Sequence, residues 1–272
     1  MSSMAREKPS KSVREKAAAA RAEQQAKEKR RERTVRIVGA IGVIVVVVAI
    51  IGIAVFASRS GSGGGGDVRP LPSPDPSAPV PAGVYDSSGE VPYGVPYGTA
   101  PATAPLLEIW EDFQCPACGS LEAINGAGIQ SLAAEGKVRL VWRSTAFLDN
   151  KWGTTSSAEA IAAWGCAIDA GKTAEYHDIV YANQPTVEGD GYTQEQLLAF
   201  AEEVGISGVP LEEFNTCLTG GRYLGWAVNS TQAFYEGDIP GTPAGFLNGT
   251  RLDGAQLGDQ AGLEKLVAEA TQ

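Results

Sequence analysis

The chain reads as an α/β sandwich carrying a helical insertion, preceded by a single N-terminal transmembrane helix. Three observations predict this. An uncharged apolar run, Ile37 to Ala57, separates a basic tail from an acidic body. Beyond Pro105 a strand pattern, a helix pattern and a second strand pattern follow in order, and then come several helical stretches, a hairpin and a last helix. A Cys-x-x-Cys motif, Cys115-Pro116-Ala117-Cys118, falls where the first strand gives way to the first helix.

The apolar run of 21 residues is long enough as a helix to cross a hydrocarbon core of roughly 30 Å. Its β-branched residues favour a strand in water, but in lipid the backbone must satisfy its own hydrogen bonds, which favours a helix. A cleaved signal peptide is the alternative, with Val55-Phe56-Ala57 as its exit site; signal peptides, however, have apolar cores of only roughly 7–15 residues. Of 22 Lys/Arg and 32 Asp/Glu, 12 and 5 respectively precede Ile37, giving net charges of +7 before the run and −17 from it onward. Lys27, Lys29, Arg30, Arg31, Arg33 and Arg36 stand against Arg59 and Arg69 beyond the run, which places the N-terminus in the cytoplasm and the body outside. The expected divisions are a basic cytoplasmic tail (1–36), a membrane span (37–57), a Gly/Pro-rich linker and lead-in (58–103) and a folded domain (104–272) with its helical insert at about 154–236. The tail lacks an apolar face and aromatics and is read as a solvated segment beside the anionic leaflet. Neither it nor the acidic body suits nucleic acid.

Within the lead-in, Gly61–Gly66 is flexible and the Pro-rich stretch after Arg69 extended. Val91-Pro92-Tyr93-Gly94-Val95-Pro96-Tyr97-Gly98 reads as an extended approach with turns. Leu106 to Trp110 is the first strand, and a helix runs from the Cys-Pro step to about Glu135, with Gly136 as its stop. Val138 to Trp142 alternates as a second strand, and the intervening helix makes the pair parallel. Helices follow at Ala158–Ala170, Lys172–Ala182, Thr193–Val204, Leu211–Leu218 and Arg222–Tyr235. Thr193 with Gln196 forms a capping box, and Gly205 ends that helix. Asn248-Gly249 suits the type I′ turn of a hairpin between Ala244–Leu247 and Thr250–Leu252. Gly262 to Ala270 is the last helix.

Cys-x-x-Cys at a helix start sets the first sulfur beside unpaired amides, which lower a thiol pKa from roughly 8.5 to about 3.5–7 in known cases. Pro116 suits the first turn, where its missing N–H costs nothing. Spacing of three puts the second sulfur on the same face, so Cys115 is the expected nucleophile and Cys118 the resolving thiol. Two alternatives stay open on the motif alone, a zinc site and an inert disulfide. Zinc usually needs a second close pair, which Cys166 and Cys217 do not form. So small a loop gains little from an inert bond. Gly241-Thr242-Pro243, just before the hairpin, holds a proline able to be cis.

Trp110-Glu111-Asp112-Phe113-Gln114-Cys115-Pro116-Ala117-Cys118, with Ile239-Pro240-Gly241-Thr242-Pro243 and Phe246-Leu247-Asn248-Gly249, resembles the DsbA-like family of extracytoplasmic thiol–disulfide oxidoreductases, membrane-anchored actinobacterial type. The resemblance covers roughly Ala104 to the C-terminus and implies a thioredoxin-like fold with Pro243 cis against the cysteine pair. It implies that Thr242 and Pro243, with Pro116 and Ala117, face a reduced or unfolded exported protein docked as an added strand, and that a quinone-linked membrane partner reoxidises the pair. The dipeptide is Pro-Ala where the strongest oxidant has Pro-His, and Thr242 resembles the isomerases. Oxidase, isomerase and reductase therefore remain open, as does a redox-inert tethered binding module. No cofactor or metal is expected.

Cys166 and Cys217, on two helices of the insert, are expected to form a structural disulfide, with free buried thiols or a regulatory pair as alternatives. Glu108 and Asp112 are the carboxylates taken as able to manage the proton of the resolving thiol; a solvated or salt-bridged role is the plainer reading of each. His177, the one histidine, is expected at the surface or core edge.

Overall fold

A computed structural model describes residues 69–271. Among these no helix is long and apolar enough to cross a membrane. The expected span, basic tail and glycine run lie outside the described residues.

The first core strand forms where Leu106–Glu111 gathers four large apolar residues around Glu108, and it pairs in parallel with Arg139–Ser144. We number the strands β1 (Val95–Tyr97), β2 (Leu106–Glu111), β3 (Arg139–Ser144), β4 (Ala244–Leu247) and β5 (Thr250–Leu252). Their order across the sheet is β1-β3-β2-β4-β5, with every pair but β2–β3 antiparallel. β1 lies inside the segment read as an extended approach, and Val95 pairs with Trp142. The β4–β5 turn has Asn248 and Gly249 both at positive φ (48° and 78°), as a type I′ turn requires.

Because side chains alternate along a strand, β2 sorts its residues onto two faces. Leu107 and Ile109 point into the main core with Leu140 and Trp142 of β3, and Ile129 and Leu132 join them from the crossover helix. Trp110 points the other way, against Phe234 and Ala244.

The crossover is α1 (Pro116–Leu121), a π-helical turn (Glu122–Gly126) and α2 (Ala127–Ala134), in continuous helical backbone. Gly136, at φ +73°, follows its end, as the stop signal predicts. A π turn inside an α-helix is uncommon and tends to sit at functional sites. Here it brings Glu122 and Asn125 inward, and the Asn125 amide donates to Leu257 O at 2.6 Å.

The insert comprises α3 (Phe147–Trp152), α4 (Ser156–Asp169), α5 (Thr173–Ala182), α6 (Gln194–Glu203), α7 (Val209–Thr219) and α8 (Leu224–Glu236). Thr193 and Gln196 form the expected capping box. α4 is buried almost throughout and rich in alanine, which lets its neighbours approach on several sides. Cys166 of α4 and Cys217 of α7 are joined by a disulfide, with Cα atoms 5.9 Å apart. The chain closes with α9 (Gly254–Gly258) and α10 (Gln260–Ala270).

Residues 69–97, read from sequence as linker and lead-in, lie against the insert. The Arg69 guanidinium donates to Thr219 O at 2.7 Å, and Asp75 and Asn229 exchange two hydrogen bonds. Trp226 Nε1 donates to Tyr93 O at 3.0 Å. The proline-rich composition of this stretch suits an extended strap as well as a spacer.

Replacing Cys166 and Cys217 together by alanine releases a constraint on a 51-residue separation. On loop entropy this is expected to cost about 4 kcal/mol, seen as a lower urea midpoint with Cys115 reactivity unchanged. An unchanged midpoint would mean that α4 and α7 hold one another without the bond.

Candidate redox site

Cys115 is the N-cap of α1, with extended backbone (φ −75°, ψ 116°), and Pro116 opens the helix. The amides of Cys118 and Gly119 both reach Cys115 O, at 3.0 and 3.1 Å, so the turn closes tightly. Cys115 and Cys118 are free thiols here. Pro116 and Ala117 between them are exposed, whereas Cys118 is sealed at 0 % exposure. The Thr242–Pro243 peptide is cis, and Thr242 O lies 3.4 Å from Cys115 Sγ. Cysteine pair and proline loop, 127 residues apart in sequence, thus form one surface.

The two thiols differ sharply. A hydrogen bond from the Cys118 thiol, supported by the amides of Cys118 and Ala117, lowers the Cys115 pKa to about 6 against partial burial. Burial pushes Cys118 well above the usual thiol range, reinforced by its donation to Cys115 and by the charge of Glu111. At neutral pH the pair therefore holds a thiolate at Cys115, 6 % exposed, and a thiol at the fully sealed Cys118.

Beneath Cys118 lies a group of three. Glu111 ends β2 on the inward face, Glu122 stands one helical turn after Cys118, and His177 comes from α5. His177 Nε2 is 3.2 Å from Glu111 Oε2, and His177 Nδ1 is 4.0 Å from Glu122 Oε2 and 3.6 Å from Asp178 Oδ1. Trp142 stacks on the imidazole at 4.6 Å, with Tyr181, Trp164 and Phe113 around it. Burial opposes a charge on His177, but Asp178, Glu111 and Glu122 outweigh it and raise its pKa to about 10. Burial, then the neighbouring Glu111, raises Glu122 to about 8. Donor atoms of the three approach within 4.8 Å of one another. His177 Nε2 and Glu111 Oε2 are hydrogen-bonded under an aromatic cover, with Glu122 close by, and we read the three as an acid–base cluster. His177, expected at a surface or core edge, is instead 1 % exposed. Its ring is kept there by neutralising carboxylates, which offset the cost of burying a cation.

Glu108 and Asp112, the carboxylates singled out by sequence, are engaged with other partners. Glu108 is on the opposite face of β2 from Glu111, where it pairs with Arg143 at 2.7 Å; that guanidinium also covers Trp110. Asp112 is fully buried, and its oxygens accept from Ser157 Oγ (2.6 Å), Gln114 N (2.9 Å) and Leu148 N (3.1 Å). Burial raises its pKa to about 7, with Asp149 adding to the shift. Its hydrogen bonds are spent fixing the loop before Cys115 to α3 and α4.

Gln184 and Tyr192 carried no sequence signal, yet both brace that loop. Gln184 Nε2 donates to Phe113 O (2.8 Å) and Cys115 O (3.0 Å), and Tyr192 OH donates to Phe113 O (2.9 Å). A Cβ at Gly119 would meet Gln184 Oε1 and displace the end of that side chain from its place at the loop. Two members of the buried cluster did leave a trace in the sequence. Glu111 continues the inward alternation of Leu107 and Ile109, and Glu122 is four residues after Cys118.

A family model described as thioredoxin matches residues 91–268. Searching the curated proteins by sequence gives no match. Among solved structures the chain is similar to the MdbA protein of Actinomyces oris, a thiol-disulfide oxidoreductase: TM-score 0.58, 22 % identity, covering 70 % of this chain and 97 % of that one. It is also similar to oxidised Mtb DsbA, with TM-score 0.50, 23 % identity and coverage of 65 % and 99 %. For BdbD of Bacillus subtilis the values are 0.56, 15 %, 71 % and 98 %. At these identities the likeness is one of fold.

Alkylation of the reduced chain by iodoacetamide is expected at Cys115 alone, half-maximal near pH 6. A midpoint at the ordinary thiol value near 9 would remove the thiolate from the site. Since the Cys115 pKa is depressed on folding, its contribution to the stability of the reduced form is complete above about 9 and lost as pH falls through about 6. The oxidised form lacks this term, so the urea midpoints of the two forms should diverge between those values.

Proposed function

This chain belongs to the thioredoxin family, and we propose from that premise that it is a protein-disulfide oxidoreductase that forms or exchanges disulfides in exported proteins through Cys115 and Cys118. The observation that carries the proposal is the division of the pair into a thiolate at Cys115, 6 % exposed beside the exposed Pro116–Ala117 step, and a fully sealed thiol at Cys118, with the Thr242 backbone beside the first.

In the oxidising direction a substrate thiolate attacks Cys115 Sγ of the Cys115–Cys118 disulfide. A mixed disulfide forms, and Cys118 leaves and takes up a proton. A second substrate thiolate then attacks the substrate sulfur of the mixed disulfide, and Cys115 departs as a thiolate. The substrate loses two electrons and two protons; the enzyme gains two electrons, and one of the protons goes to Cys118. The low Cys115 pKa favours this direction, because a stable thiolate leaves readily. Thr242 O and the exposed Pro116–Ala117 step offer a backbone edge on which an extended polypeptide can add as a strand. Glu111, inward on β2 and beneath the pair, serves as the base that exchanges the Cys118 proton.

The placement we propose is outside the cell membrane, anchored in the bilayer by residues 37–57 with the N-terminus inside. The uncharged run and the basic cluster before it support this. Reduced or unfolded exported proteins are then the substrates, and a quinone-linked membrane protein reoxidises the pair. The net charge of −17 from Ile37 onward argues against nucleic acid.

Cys115→Ala is expected to abolish oxidation of a dithiol peptide, and Cys118→Ala to accumulate the mixed disulfide on Cys115. Persistent oxidation by the Cys115 variant would end the assignment. Equilibration with glutathione is expected to place the reduction potential nearer −120 mV than −270 mV, the values of a strong oxidant and of a reductant on the scale of about −120 to −270 mV. A value at the reducing end would make the chain a reductase.

A further inference from the structure

The proposed exchange leaves a proton to account for. Cys118 gains one on each reduction and loses one on each oxidation, yet its sulfur has no exposed surface. Glu111, the carboxylate whose charge acts on Cys118, is 4 % exposed and equally enclosed. A base so enclosed can act once and then has to pass its proton on.

The route out is visible in how the buried groups are set. Glu111 Oε2 faces His177 Nε2 at 3.2 Å, and Glu111 Oε1 has no hydrogen-bond partner. Across the ring, Nδ1 is also unpartnered and stands between Asp178 Oδ1 (3.6 Å) and Glu122 Oε2 (4.0 Å). Both distances are slightly beyond a hydrogen bond, so a small rotation of the ring brings either acid into range. The Asp178 side chain is 51 % exposed, and its carboxyl also accepts from Gln130 at 2.7 Å. Imidazole accepts a proton on one nitrogen and releases one from the other, so it can carry charge between two acids without leaving its place.

We propose that His177 serves as the proton relay of the resolving thiol, exchanging a proton from its far nitrogen with Asp178 at the surface as Glu111 beneath Cys118 gains or loses one, with Glu122 as a second partner of the same nitrogen. His177 acts through Glu111 and is therefore a positioning and relay residue. On oxidation the Cys118 S–H bond breaks and Glu111 takes the proton; the ring, already protonated on both nitrogens, then no longer faces a carboxylate and releases its Nδ1 proton to Asp178 and water. One proton thus leaves for each one taken from Cys118, and reduction reverses each transfer. The titratable and charged groups facing the ring are Glu111 from β2, Glu122 from the π turn, and Asp178 and Tyr181 from α5; Cys118 and Asp112 influence the same neighbourhood. The helical insert thereby supplies a working part of the redox centre. This inference rests on the reading of Cys115 and Cys118 as an exchanging pair.

The test uses the full chain and glutathione disulfide as the probe, following formation and resolution of the mixed disulfide by stopped flow. His177→Gln is expected to leave the iodoacetamide profile of Cys115 unchanged while slowing resolution by about a hundredfold, the lower end of what positioned acid–base groups contribute. Its pH profile is expected to move as well, which a merely structural role would not produce. Asp178→Asn is expected to slow resolution less. Resolution at the wild-type rate from pH 5 to 9 in His177→Gln overturns the relay. If the wild-type chain forms no mixed disulfide, the exchange reading fails and takes the relay with it. Should the variant not fold, the wild-type protein decides, since its one histidine gives a single imidazole signal in ¹⁵N spectra. The relay requires that signal to titrate differently in the oxidised and reduced forms; identical titration in both overturns it.

Discussion

The sulfur of Cys115 is held between the free amides of a helix's first turn and the backbone of Thr242, and the described chain is organised around keeping those two in register. β2 carries the first and β4 follows the second, and the antiparallel pairing of Trp110 with Ala244 sets them side by side. An anion there is stabilised by the Cys118 thiol and by the amides of Cys118 and Ala117, which the fold fixes in advance. Small displacements of either segment would change how much of the charge those groups see.

That requirement explains why so many polar groups are buried around the β2–α1 loop. Asp112 accepts from Gln114 N, Leu148 N and Ser157 Oγ, while Asp149 accepts from the backbone N–H groups of Ser157 and Ala158 at 3.0 and 2.9 Å and from Gln114 Nε2 at 3.0 Å. Asp149 thus caps α4 from outside that helix, and the same carboxylate ties α4 to the residue before Cys115. Gln184 and Tyr192 add a second set of ties from the far side of the insert. Buried polar groups are costly unless bonded, and here the bonds also join the redox loop to the insert.

The insert therefore does more than enlarge the domain. Its α4 supplies the wall on which Phe113 and Trp142 rest through Trp164, and α5 brings a cation beneath the resolving thiol. The disulfide between α4 and α7 and the strap of residues 69–97 hold the insert to itself and to β1. Sulfur chemistry on the α1 side and proton handling on the α5 side meet under one aromatic layer.

Local physics made much of this legible in the sequence. An apolar run gave β2 and alternation β3, Thr193 and Gln196 gave a helix start, Asn248-Gly249 gave the hairpin, and Cys115-Pro116-Ala117-Cys118 gave the cysteine turn, because each is decided by neighbours a few residues apart. The same local logic chose Glu108 and Asp112 as the acids near the thiols, since both are close in the chain. Only the tertiary structure decided that Glu111 lies beneath Cys118. Which face of β2 the crossover and the insert cover depends on contacts between distant segments, and one step along a strand exchanges its faces. His177 shows the limit most clearly. It is 66 residues from Glu111, and nothing nearby in the chain marks it. Its environment exists only after α5 has closed over the sheet and three carboxyl groups have gathered to keep its charge.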